Sequence, residues 1–152
     1  MIKLAIALLT TTFADTTTSL EQKACDHFFS DIFRKEYAGY KVVEFDNQTD
    51  TAKYWGIVYG CKNWDEKTKE QIVSATPDKS TVVTVSLNDL KIKKMRTNSN
   101  RLKIHVSSKI RVGNNYFVLI GTYRKLRFAE YFYVELDHAG NIIGTCKKGE
   151  II

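Results

Sequence analysis

Between Leu102 and Val112 the chain alternates, with Leu102, Ile104, Val106, Ile110 and Val112 in one parity and Lys103, His105, Ser107, Lys109 and Arg111 in the other. A period of two marks a strand with one face in a core. The stretch therefore predicts a single strand with an apolar face and a basic face. The residues after it constrain the topology. Gly113, Asn114 and Asn115 all tolerate positive φ and predict a tight hairpin. "YFVLIGTY" is apolar on both parities, as a central strand must be, and "FAEYFYVELD" and "NIIGTC" complete a meander around the "DHAG" turn. With a hairpin loop of three residues, Arg111 would face Phe117, Lys109 would face Leu119 and His105 would face Tyr123.

The N-terminal half predicts a helix. Ser19 and Gln22 have the spacing of a capping box, and Ala24, Cys25, Phe28, Phe29, Ile32 and Phe33 then recur at helical spacing. Gly39 is placed to end the helix in the left-handed conformation, after roughly 18 residues. "YKVVEF" reads as a strand, "DNQTD" as a turn and "AKYWGIVYGCK" as a strand bent at its glycines. A short helix comes next, with Asn63 as N-cap and Glu66 as its partner, then a β-rich "TVVTVSL" and a weaker strand in "DLKIKKM". The expected class is α+β: a long N-terminal helix packed on a curved, mainly antiparallel sheet that ends in a C-terminal meander. The "CDHFFSDIF" helix and the closing "YFVLIGTY" and "YFYVELDHAGNIIG" strands give an element order that resembles the nuclear-transport-factor-like and cystatin-like α+β rolls. The resemblance covers roughly half the chain and rests on element order alone. It implies a fold shared by enzymes, ligand-binding proteins, inhibitors and secretion or immunity factors. In the enzymes of that group, carboxylates and histidines inside the concave pocket carry the chemistry.

The first 14 residues have the layout of a secretory signal: Lys3, an apolar run from Leu4 to Leu9, and a small-residue cleavage site ending at Ala14. A single globular domain over 15–152 is expected after it, exported to the periplasm or beyond, or cytoplasmic if the leader is retained. No other apolar run approaches the ~20 residues of a membrane span. Cys25, Cys61 and Cys146 fit no metal-ligand spacing and read best as small buried apolar residues, although two could pair in an exported chain. Asn47 opens an Asn-Gln-Thr glycosylation sequon. No cofactor or metal motif is present in the sequence.

Charge is distributed very unevenly. Between Asp89 and Glu130 lie eleven of the 23 basic residues and none of the 17 acidic ones. Such asymmetry bears on partners more than on fold. Lys103, His105, Lys109 and Arg111 would share one strand face, Lys91 and Lys93 the face of the preceding strand, and Phe117 and Tyr123 would add stacking or cation–π contacts. This surface suits an anionic ligand, such as a lipid headgroup or acidic polysaccharide, or an acidic protein, in a non-catalytic binding domain. Two alternatives carry different expectations. A roll-type carrier or enzyme would use His105 and Tyr123 in a concave pocket, although the matching face carries no carboxylate. A cytosolic chain would make nucleic acid the natural partner, but no RNA- or DNA-reading motif is present. The bland reading is a solvated, lysine-coated sheet.

Overall fold

A computed structural model describes residues 18–51, 55–124 and 128–151; the leader expected over residues 1–14, and Lys125 and Arg127 of the basic block, lie outside them. The N-terminal helix begins at Leu20, where the Ser19 hydroxyl accepts the Gln22 amide at 3.1 Å. The reciprocal half of the expected capping box does not form. The Gln22 side chain turns away to Asp26 and to both backbone groups of Thr84, clamping the distant 84 segment onto the helix. The helix is α-helical over Leu20–His27, widens into a π-helical turn over Phe28–Phe33, and closes with an α-helical turn over Arg34–Glu36. The wider turn keeps Phe28, Phe29, Phe33 and then Tyr37 buried on one side. Gly39 does not end it in the left-handed conformation, since Gly113 and Gly140 are the positive-φ glycines of the described chain. The chain turns instead at Tyr37, which is stacked on Phe33 and held by its hydroxyl to Thr122 and Glu130.

The helix packs on a curved, mixed, mostly antiparallel sheet of seven strands, an α+β architecture: β1 Val42–Phe45, β2 Lys91–Lys94, β3 Leu102–Val106, β4 Ile110–Val112, β5 Asn115–Arg124, β6 Phe128–Leu136 and β7 Ile142–Ile151. Their order is β2-β1-β3-β5-β6-β7, with β4 also paired to β5. The first three lie parallel, and the expected C-terminal meander supplies the antiparallel part. The "DHAG" turn forms as expected, with Gly140 at φ +82° donating its amide to Asp137.

Three sequence expectations fail here, each for a visible reason. "TVVTVSL" makes no strand beyond an isolated Val82–Gln48 bridge, because its amides bond to the Asn47 carbonyl and to the Gln22 side chain. In "AKYWGIVYGCK", of which 52–54 lie outside the described residues, Gly56–Gly60 is a 3₁₀ turn. Trp55, Val58 and Cys61 recur every third residue and all are buried, which is the 3₁₀ period. The second helix, Glu66–Ser74, is capped by Asp65, whose carboxylate accepts the Thr68 amide at 2.7 Å, and not by Asn63.

The alternating stretch is also two strands. Val106 stands opposite Ile120 and Ile110 opposite Phe117, so three residues on one side face two on the other. This β-bulge reverses the parity of everything beyond it. Leu102, Ile104 and Val106 join Val118, Ile120 and the phenylalanines of the helix in one core, whereas Ile110 joins Phe117, Leu119 and Tyr133 in a second core on the opposite face, under Trp55, Val58, Trp64 and Ile72. The hairpin turn is correspondingly two residues long, with Gly113 at φ +61°, and it pairs Arg111 with Tyr116 and Val112 with Asn115.

Cys61 and Cys146 form a disulfide that ties the 3₁₀ segment to β7; the third cysteine, Cys25, is the buried apolar residue expected of all three. The bridge spans 85 residues, and a loop of that size restricts the unfolded chain by about 4.5 kcal/mol in the loop-entropy relation. Replacing both cysteines by alanine is expected to lower the unfolding free energy by about 2–4 kcal/mol, read from chemical denaturation. An unmoved midpoint would show that the cross-link adds nothing to the second core.

Candidate functional site, a basic edge pinned by a buried glutamate

Because Val43 and Phe45 pack under the helix, alternation turns Glu44 to the other face of β1, where it lies between Lys93 of β2 and Lys103 of β3 in register. The chain leaves β2 and must cross β1 to reach β3, and the loop 95–101 does so directly over Glu44. The Arg96 amide donates to one carboxylate oxygen at 3.0 Å, and the Arg101 guanidinium stands 3.5 Å from the other. Glu44 is completely buried. Burial pushes its carboxyl up, but Ser99, the Arg96 amide and the charges of Lys103 and Arg101 outweigh that and hold it below the usual range, so it is ionised. Lys103 completes the pin from beneath: its ammonium donates to the Thr97 carbonyl at 3.0 Å and lies 5.6 Å above the Tyr123 ring. No carboxylate was expected on this face because the block between Asp89 and Glu130 has none; it enters from β1. In "YKVVEF" the signal was present, as a lone acid at the parity opposite two apolar neighbours.

The residues expected to share one face are thereby distributed. Lys103 and His105 stay together with Tyr123 on the second-core face, although it is Gly121 that stands opposite His105 and Lys103 that stands opposite Tyr123. The His105 ring packs onto Gly121 so closely that a Cβ there would come within 2.2 Å of it, and its centroid is 5.8 Å from that of Tyr123. The Tyr123 hydroxyl meets the Met95 sulfur at 3.3 Å. Within the bulge, Lys109 turns to the helix side, where its ammonium pairs with Asp78 at 3.0 Å and with the buried Glu21 at 3.4 Å. Burial lowers its pKa, but the bonds to Asp78 and Glu21 more than reverse this. Arg111 is exposed and donates to the Gly113 carbonyl at 3.1 Å. Phe117 is 1% exposed, edge-on to Trp64 in the second core, so it presents no stacking surface.

Apart from Arg111 at the hairpin, the exposed cations described in this stretch lie at or near the β2 edge and the crossover loop. Lys91, Lys94, Arg96, Arg101 and Arg124 are exposed and Lys93 is half-buried. Arg124 donates to the Asn100 carbonyl at 3.2 Å, bracing the far end of the crossover loop. The side chains of Lys91, Lys93, Lys94 and Arg96, and of Lys41 just before β1, have no partner among the described residues. A second polar cluster escaped the sequence reading. Tyr37, Thr122, Glu130, Lys147 and Glu36 form a chain of contacts beneath the end of the helix. Burial, and then the bond to Glu130, raises the Tyr37 pKa. It ties the helix end to three strands. Among the described residues no group of His, Cys, Asp and Glu is arranged to hold a metal ion, and no helix is long and apolar enough to cross a membrane. No protein-family model, curated protein or solved structure matches the chain.

Burial lowers the His105 pKa, and the charge of Asp50 only partly offsets it. The unfolded chain, with an ordinary histidine near pH 6.5, therefore binds a proton that the folded chain refuses. Stability is full above about pH 6.5 and falls as the pH drops through that value towards the folded pKa. The unfolding free energy is expected to decline between about pH 6.5 and 5, and His105→Gln to flatten that part of the profile. An identical slope in the variant would assign it to another group.

Proposed function

We propose that this protein is a non-catalytic binding domain, exported from the cytoplasm, that docks an acidic protein partner on the basic edge formed by β2 and the 95–101 crossover. One observation carries the reading: Lys41, Lys91, Lys93, Lys94 and Arg96 line this one edge, Lys91 and Lys93 on one face of the sheet and Lys94 on the other, without partners among the described residues, while the acid of β1, Glu44, is buried and engaged beneath the loop. Asp46 and Asp89, both exposed, flank the two ends of the patch and leave its centre cationic. Unpaired charge of one sign steers a partner of the other and sets its register. The Cys61–Cys146 bond supports export, since such cross-links persist in oxidising compartments, and the leader-like residues 1–14 support it independently.

The docking site differs from the strand face expected from alternation. Lys109 serves the fold through Glu21 and Asp78, so reversing its charge would strip a buried carboxylate of its cation and lower stability. The outward cations can be reversed without that penalty. In the triple variant Lys91→Glu, Lys94→Glu, Arg96→Glu, binding to immobilised poly-glutamate at about 0.1 M salt is expected to weaken by at least tenfold, with the melting temperature kept within a few degrees. Undiminished binding by the folded triple variant would refute the assignment of this edge.

A further inference from the structure

The edge carries more than charge. The Lys91 amide donates to the Lys41 carbonyl at 2.9 Å, towards β1. Successive residues of a strand direct their backbone groups to opposite sides, so Lys91 and Lys93 bond inward and Ile92 and Lys94 present their N–H and C=O groups outward. β2 is the last strand of the sheet on this side. Its side chains are sorted too. In register Lys93 stands beside Glu44, on the second-core face with Lys91, while Ile92 stands beside Val43 and packs with the helix core. Lysines on an edge can serve to repel stray strands. Repulsion alone does not call for the further unpartnered cations Lys41 and Arg96 beside this four-residue strand.

We infer, on the reading of an acidic partner, that β2 receives an extended acidic segment of that partner as an added antiparallel strand. The partner's backbone would bond to Ile92 and Lys94, its apolar residue would lie beside Ile92, and its acidic residues would lie beside Lys91 and Lys93. Main-chain bonds supply affinity in this mode, and alternate side chains supply selectivity. Opposite charges across neighbouring strands add roughly 0.2–1 kcal/mol per pair. The segment leading into β2 widens the recognition surface, because Leu87 and Leu90 line a cleft of about 240 Å³ with Phe33 and Tyr40, rimmed by Arg34, Lys41 and Asp89. A residue of the partner just past the paired stretch can place an apolar side chain there.

The alternation specifies a probe: an acetylated eight-residue peptide of alternating valine and glutamate, measured by fluorescence anisotropy against the full chain. Antiparallel addition directs the valine amides, opposite Ile92, at β2 and leaves the glutamate amides pointing away. N-methylation of the valines is expected to weaken binding at least tenfold, and N-methylation of the glutamates by less than about threefold. Binding that is indifferent to methylation, or lost equally in both series, overturns strand addition, and loss confined to the glutamate series overturns the antiparallel register. If charge reversal at Lys91, Lys94 and Arg96 still weakens the unmodified peptide in those cases, docking of acidic partners stands and only its strand-added form falls. If neither the peptide nor poly-glutamate binds the unaltered chain, both readings fail together.

Discussion

The structure turns on the bulge at Ser107–Lys109, where one strand carries three residues against two on its neighbour. An extra residue in a ladder normally strands backbone groups. Here the three amides of the bulge are answered, each by a different part of the chain. The Ser107 amide donates to Leu119 and its hydroxyl accepts the Leu119 amide; the Ser108 amide donates to Asp50; the Lys109 amide donates to the Glu21 carboxylate, and its carbonyl accepts from Asp78. The Ser108 hydroxyl adds a buried bond to Thr49. The start of the helix, the end of the β1 excursion and the approach to β2 are thus fixed to one point of the sheet. Glu21 also lies in the first helical turn, where a carboxylate is favoured by the unpaired amides.

The parity switch at that point is what gives the sheet two cores. Before it the chain supplies the helix-facing core, and after it Ile110 supplies the core beneath Trp55 and Trp64. β5 passes between them and serves both, with Val118 and Ile120 on one side and Phe117 and Leu119 on the other. The second cover is small, a 3₁₀ turn and a nine-residue helix. A cover of that size gains from a covalent tie to the sheet, and the disulfide to β7 provides one at its 3₁₀ end.

The elements legible in the sequence were those whose pattern is local. The Ser19 cap with its phenylalanine stripe, the apolar run of β5 and the glycine turn at Gly140 each declare themselves within a few residues. The bulge did not, because Ser107 and Ser108 fit either parity and a continuous strand is the simpler reading of the same letters. Its partners, Asp50, Asp78 and Glu21, lie up to 88 residues away. The Cys61–Cys146 pair was one of three possible pairings, and spacing alone does not choose among them. The parity of Glu44 was legible in "YKVVEF", but its role was hidden for the same reason as the bulge: what makes it the anchor of the crossover is parallel pairing to both neighbours, a long-range fact.

This alters what an acid-free stretch of sequence means. Positive charge concentrated along the chain is not positive charge concentrated on the surface. Lys109 is held by Glu21 and Asp78, Lys103 and Arg101 serve the loop over Glu44, and Arg124 braces the same loop, so the carboxylates missing from the stretch arrive from elsewhere in the fold. Among the described residues, the cations left over, apart from Arg111 at the hairpin, are those of the strand at the sheet's edge and of the residues beside it, where a neighbouring strand exists on one side only. An edge strand, with a neighbour on one side only, can thus keep a basic run that its own fold does not neutralise. Its open backbone groups lie in the same place for the same reason: both lack the neighbour that a partner's strand would supply.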